Sequence, residues 1–230
     1  TADMRWIKAR DVKTGDKLVG FPEDLQKRPH VMRPAVDQKA KRIIRGCYKI
    51  TTDRGEITVS SEHMLVRQRQ AHQSQGRPRQ WTKAKDLAVG DRLSFYVEPW
   101  EEERSYDAGW LAGFLDGEGS VSGACRVSFG QNEGLVLTRA LKLLKARGFE
   151  VWLNDGSYKC KQGQIVGRAT GVQLLGSVRP VRLLEKAHKL WMGRRTWGKR
   201  STPATIKNIE YVGKQQVIAL KTSTSTFIAE

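Results

Sequence analysis

Two carboxylates, Asp116 and Glu118, end the helix-like apolar part of WLAGFLDGEGSVSG at residues 110–123, which together with the residue before it carries Gly109, Gly113 and Gly117 at a spacing of four. Carboxylates are hard oxygen donors, the chemistry of a divalent cation. Their placement is costly, because each interior glycine weakens a helix by about 1 kcal/mol relative to alanine. A glutamate in the last turn also faces the negative end of the helix dipole. Such a helix requires something that offsets both costs.

Charge points to the class of partner. The 230 residues hold 41 Lys and Arg against 24 Asp and Glu, a net charge of +17, which suits a polyanion. The excess is segregated: residues 131–200 hold 15 basic and 4 acidic residues, a net +11, whereas 99–130 hold 2 basic and 6 acidic, a net −4. The reversal falls on the glycine-bearing helix. A hydrophobic content of 39% supports folded cores, and no run approaches the roughly 18 apolar residues of a membrane span. The opening TADMRWIKAR lacks the apolar segment of a secretion signal, so a cytoplasmic protein without a membrane partner is expected. Cys47, Cys125 and Cys160 are odd in number and the four histidines are scattered, so neither disulfides nor a zinc site is expected.

An internal repeat organises the flanking sequence. RWIKARDVKTGDKLVGF (5–21) and RQWTKAKDLAVGDRLSFY (79–96) align Trp6, Lys8, Ala9, Asp11, Gly15, Asp16 and Leu18 with Trp81, Lys83, Ala84, Asp86, Gly90, Asp91 and Leu93. Two copies about 75 residues apart predict one pseudo-symmetric domain of related halves. Each Gly-Asp is a turn signal before a strand-like run, and RIIRGCYKITTD and EITVSSEHMLV are rich in β-branched residues, so this part is expected to be all-β.

The repeated unit, ITVSSEHMLV (57–66) and QVIALKTSTSTFIAE (216–230) together resemble the Hint fold of inteins. The resemblance implies that Ser60 and His63 descend from a splicing site, where a hydroxyl residue stands three before a histidine. It implies no splicing by the chain as it stands, which begins at Thr1 rather than a cysteine or serine nucleophile and ends before a His-Asn pair.

Between the Hint-like parts, residues 99–200 read as an αββαββα unit: helix near 107–117, two strands over 119–131, helix near 134–147, strands near 149–155 and 164–174, helix near 178–191. The expected organisation is therefore α+β, an all-β Hint-like domain (1–98 and 201–230) with an inserted αββαββα domain. Within SVSGACRVSFGQ, Val121, Cys125, Val127 and Phe129 alternate with Ser120, Ser122, Arg126 and Ser128, which separates a core face from a polar one.

LAGFLDGEG (111–119) resembles the nine-residue motif of the LAGLIDADG homing endonucleases, with Leu111, Ala112, Gly113, Asp116 and Gly119 identical. Glycines four apart form one stripe that lets two helix backbones approach closely, so a second copy of the helix can offset the propensity loss. The expected homodimer interface comprises Gly109, Ala112, Gly113 and Asp116. Two such helices crossing at a two-fold axis set the Glu118 side chains together, and divalent cations relieve their repulsion. Mg²⁺ is the expected cofactor, held by Glu118 and, as the resemblance implies, the Gly117 carbonyl.

The resemblance also implies catalytic roles for Gln131, near the attacking water, and for a basic residue, Lys186, with Lys189 or Arg182 as alternatives. Ser122, Arg126, Ser128, Trp152, Asn154, Lys159, Lys161 and Arg168 are the expected contacts to double-stranded DNA. One motif rather than two implies a homodimer cutting a long, near-palindromic site, with no small-molecule substrate. Two other classes share these features: a DNA regulator or RNA maturase that binds without cutting, and an autoprocessing splicing element.

Overall fold

Strand and helix formers alternate along the chain as two antiparallel sheets and four α-helices, a mixed α+β architecture. The computed structural model describes residues 1–25, 32, 34–68, 79–95, 99–122, 126–156, 160–166, 168–191 and 203–229. Its strands are β1 (Val36–Thr52), β2 (Glu56–Ser60), β3 (Met64–Gln68), β4 (Arg79–Lys83), β5 (Arg92–Leu93), β6 (Gly119–Ser122), β7 (Arg126–Asn132), β8 (Val151–Asp155), β9 (Cys160–Ile165) and β10 (Ala204–Thr222). Its helices are α1 (Tyr106–Glu118), α2 (Leu135–Ala146), α3 (Arg168–Val178) and α4 (Val181–Trp191). Among the described residues no helix is long and apolar enough to cross a membrane. The chain divides into two compact units, one of Thr1–Trp6 with Pro99–Arg194 and the other of Ile7–Glu98 with Arg195–Glu230.

The β unit is a six-stranded sheet ordered β2-β1-β10-β5-β3-β4. Its spine is the long antiparallel pair β1 and β10, bent by register shifts along its length. The repeat writes the same local structure twice. Each copy forms a short 3-10 turn, Ala9–Asp11 or Ala84–Asp86, followed by a left-handed glycine, Gly15 at φ 92° or Gly90 at φ 90°. In each the next aspartate turns back on the chain: Asp16 accepts the Lys13 N–H at 2.8 Å and Asp91 accepts the Ala88 N–H at 3.0 Å. The apolar positions of the two copies seed separate cores, Val12 and Leu18 with Val36 in one, and Leu87 and Leu93 with Ile50, Val59 and Ile206 in the other.

The tryptophans of the two copies part company. Trp81 stacks on Phe21 inside the β unit, with ring centroids 5.8 Å apart. Trp6 instead belongs with the helical unit, edge-on to Trp100 at 5.7 Å, although its sequence frame is that of the repeat.

The helical unit has one four-stranded sheet, ordered β6-β7-β9-β8. Val121, Val127, Phe129 and Ile165 are buried on its helix side, and Phe129 meets Phe114 of α1 edge-on at 5.2 Å. Gly163 lies beneath the Phe129 ring, where a Cβ would stand 2.2 Å from it. Helix α1 starts where the Ser105 hydroxyl accepts the Ala108 N–H at 3.1 Å, and it buries Ala108, Leu111, Phe114 and Leu115.

The second half of this unit corrects the sequence expectation. The segment expected as a strand at 164–174 is the end of β9 and most of α3, so the order is αββαββαα rather than αββαββα. Val172, Leu174, Leu175 and Val178 are all buried, and a helix covered on most sides shows no amphipathic period to read. Arg179, at φ 53°, and Pro180 then separate α3 from α4.

Candidate functional site

Helix α1 presents its glycines outward. Gly109, Gly113 and Gly117 are exposed, and a Cβ built on any of them would meet nothing within 4 Å among the described residues. Ala112, half-buried, flanks the stripe. At the end of the helix Glu118 is exposed, and its carboxylate makes no ion pair or hydrogen bond among the described residues. No group of three or more His, Cys, Asp or Glu side chains able to hold a metal is present among the described residues. One chain therefore offers the Glu118 carboxylate and the Gly117 carbonyl, two hard oxygens that suit Mg²⁺ in kind but make only part of its six-fold shell.

Asp116, expected at a dimer interface, is engaged within the chain. Its carboxylate turns toward α4, accepting the Val181 N–H at 2.7 Å and the Leu183 N–H at 3.0 Å. These are orphan donors of a helix first turn, so Asp116 caps α4 from a distant part of the chain. Arg182 reaches in the opposite direction, donating to the carbonyls of Asp116 at 2.6 Å and Gly119 at 2.8 Å. Lys186 is exposed on α4, one turn beyond Arg182.

Register sorts the remaining candidates between the two faces of the sheet. Ser120, Ser128, Gln164 and Trp152 form one row across all four strands, flanked by the Ser122–Arg126 pair on one side and by Gln162 and Asn154 on the other. The Ser120 and Ser128 hydroxyls lie 2.9 Å apart. Trp152 is 57% exposed, which leaves an indole in solvent beside polar groups. Ser120, Gln162 and Gln164 join Ser122, Arg126, Ser128, Trp152 and Asn154 on this open face. The alternation in KCKQGQI carried the signal for the two glutamines once 160–165 is taken as a strand.

Lys161 is placed otherwise. It lies between Gln131 and Asp155 in a row of the same parity as Phe129, hence on the side opposite Trp152 and Asn154. Its ammonium bonds Asp155 and pairs with Glu133 at 3.0 Å, contacts that raise its pKa and lower that of Asp155. A side chain engaged by two carboxylates on that side is not a contact of the open face. Gln131 lies two residues beyond the Gly119–Phe129 pair, toward the end of α1, and its side-chain oxygen accepts the Asn132 N–H at 2.8 Å. Lys159 and the side chains of Arg168 and Lys189 lie outside the described residues, as does Cys125.

The β unit contains the other expected pair. The His63 N–H donates to the Ser60 carbonyl at 2.9 Å, closing the turn between β2 and β3. His63 lines a cavity of about 180 Å³ with Phe21, Arg79, Trp81, Phe95 and the tail residue Phe227, whereas Ser60 sits in β2 opposite Cys47. Burial pushes the His63 pKa down from its ordinary 6.5, which favours a neutral ring. Next to it Glu62 is bonded by Lys83 and Lys85, each at 2.6 Å, which hold its pKa at about 2. No protein-family model matches this chain, and no curated protein matches it significantly.

Proposed function

We propose that the chain is a sequence-specific DNA endonuclease of the LAGLIDADG type, acting as a homodimer on double-stranded DNA and carried within a Hint-like β unit. One observation carries this reading: a single helix bears both a glycine stripe and, at its end, a carboxylate, and among the described residues the stripe is uncovered and the carboxylate unpartnered. A second copy of α1 laid along the stripe allows close backbone packing, which offsets the poor helix propensity. The same crossing brings two Glu118 carboxylates together at the negative ends of two helices, where their repulsion is relieved by divalent ions. The hard donors Glu118 and the Gly117 carbonyl suit Mg²⁺, which when bound polarises a scissile phosphate and lowers the pKa of water.

The chain's own residues supply the remainder. Ser122, Arg126 and Asn154, with Gln162 and Gln164, present donors and acceptors suited to base edges and phosphates. The net charge of +17 supplies the sequence-independent attraction. Gln131 and the exposed Lys186 remain candidates for contact with the reacting phosphate.

The test is incubation of the full chain with a randomised duplex library and Mg²⁺, followed by sequencing of cut ends. Near-palindromic sites with short 3′ overhangs, lost on chelation, are expected. Binding should weaken with salt at a log–log slope of about −0.9 per phosphate neutralised. Specific binding without any cutting would overturn the nuclease reading in favour of a DNA-binding regulator.

A second reading, an autoprocessing splicing element, is favoured by the cavity that His63 shares with Phe227, Ile228 and Ala229 of the tail. Its test is fusion of flanking segments that carry a terminal nucleophile and an asparagine. Ligated flanks, lost on His63→Ala, are expected, and unligated flanks would overturn it.

A further inference from the structure

The turn that carries Glu118 is held between two residues that point past each other. Asp116 gives both carboxylate oxygens to α4, at the Val181 and Leu183 N–H groups. Arg182, between those two residues, gives Nε to the Asp116 carbonyl and Nη2 to the Gly119 carbonyl. Asp116 and Gly119 bracket Gly117 and Glu118, so the clasp fixes the chain on either side of both expected cation donors. Gly119 is itself immobilised: its N–H bonds the Leu115 carbonyl, and a Cβ there would stand 2.3 Å from that oxygen and 3.0 Å from Leu183.

Carbonyls at a helix C-terminus share its negative potential, and several of them attract a cation. The guanidinium occupies two, and its charge disfavours a second cation on either. Among the described residues the Gly117 carbonyl, between them, has no side-chain donor and the Glu118 carboxylate beside it has no partner.

We propose that Arg182 and Asp116 are positioning residues: by covering the Asp116 and Gly119 carbonyls and fixing the turn, they leave the Gly117 carbonyl and the Glu118 carboxylate as the divalent-cation donors. This assigns Arg182 a task different from that of a phosphate contact, since two of its nitrogens already serve the main chain. The inference rests on the cation-binding reading of Glu118 given above.

The test titrates Mn²⁺ into the full chain, reading free ion by electron paramagnetic resonance, for wild type, Glu118→Gln, Arg182→Met, Arg182→Lys and Asp116→Asn. Arg182→Met and Asp116→Asn are expected to raise the Mn²⁺ Kd at least tenfold. Arg182→Lys, which keeps the charge and one carbonyl bond, should recover part of the loss. DNA affinity measured in chelator should stay within about twofold of wild type, which a general structural defect would not allow. Should Arg182→Met fail to fold by circular dichroism, Arg182→Lys and Asp116→Asn carry the comparison. Wild-type Kd in the folded clasp variants, with Mn²⁺ binding lost in Glu118→Gln, would overturn the positioning role alone. Unchanged binding in Glu118→Gln would overturn the cation reading and the inference together.

Discussion

Gly113 of α1 and Gly176 of α3 are interior glycines of helices in the same unit, and the structure treats them oppositely. A Cβ on Gly176 would meet the Trp100 indole at 2.1 Å, whereas a Cβ on Gly113 would meet nothing within 4 Å among the described residues. Both glycines carry the same propensity cost, about 1 kcal/mol relative to alanine. In α3 the group that needs the space belongs to the chain, and its packing offsets that cost. In α1 three glycines at a spacing of four form an exposed stripe that nothing among the described residues covers. Under the homodimer reading proposed above, a second α1 would take the place that Trp100 fills in α3.

Substitutions along α1 and α3 break or sharpen this contrast. The largest effect is expected at the end of the open stripe: Glu118→Gln should lower Mg²⁺-dependent DNA cleavage by orders of magnitude while leaving DNA binding and the melting temperature near wild type. Equal single-turnover rates for the two proteins would remove Glu118 from the chemistry.

Next in size, Gly176→Ala forces a methyl group into the indole of Trp100. Overpacking of this kind costs about 1–3 kcal/mol or more, to be read as a shifted urea midpoint at unchanged slope. Gly113→Leu should leave the monomer folded yet abolish sedimentation as a dimer on target DNA. A Gly113→Leu protein that assembles and cuts normally would show that the stripe is not an interface.

Gly113→Ala tests the same contrast in the opposite direction and with a smaller effect. With no neighbour to meet, the alanine should stabilise the monomer by up to about 1 kcal/mol, the reverse of Gly176→Ala. A loss of stability in both would mean that α1 is already packed against something.

The smallest expected effect lies in the other unit, where the candidate histidine is half-buried rather than exposed. The folded pKa of His63 is below its ordinary 6.5, so the unfolded chain binds the proton more readily. Its contribution to stability is then present above about pH 6.5 and lost as the pH falls below it. Thermal melts between about pH 7.5 and 5.5 should show a decline that His63→Gln makes shallower, and identical pH profiles would contradict the burial of the ring.

Much of this molecule was legible from short-range pattern. The Gly-Asp turns at 15–16 and 90–91 form as the repeat predicts, because a left-handed glycine followed by a back-bonding aspartate is a local device. The separation of Val121, Val127 and Phe129 from Ser120, Ser122, Arg126 and Ser128 follows from the two-residue period of a strand. Helix α3 was not legible, since Val172, Leu174, Leu175 and Val178 are covered on several sides and the helix also carries the poor helix formers Thr170, Gly171 and Gly176. Nor was Lys161, whose face depends on where β9 begins and on the register that sets it between Gln131 and Asp155.

The amino-acid sequence by itself determined the basic charge, the two-copy turn frame, the glycine stripe of α1 and the polar alternation of β6 and β7, all set by neighbours a few residues apart. Only the tertiary structure decided which of two near-identical tryptophans packs at home, with Trp81 on Phe21 and Trp6 on Trp100. It likewise decided that Asp116 caps a helix 65 residues away while the Glu118 carboxylate, two positions on, finds no partner among the described residues. Both outcomes rest on long-range hydrogen bonds and ring contacts, whose partners local spacing cannot specify because they meet only when the sheets and helices are assembled.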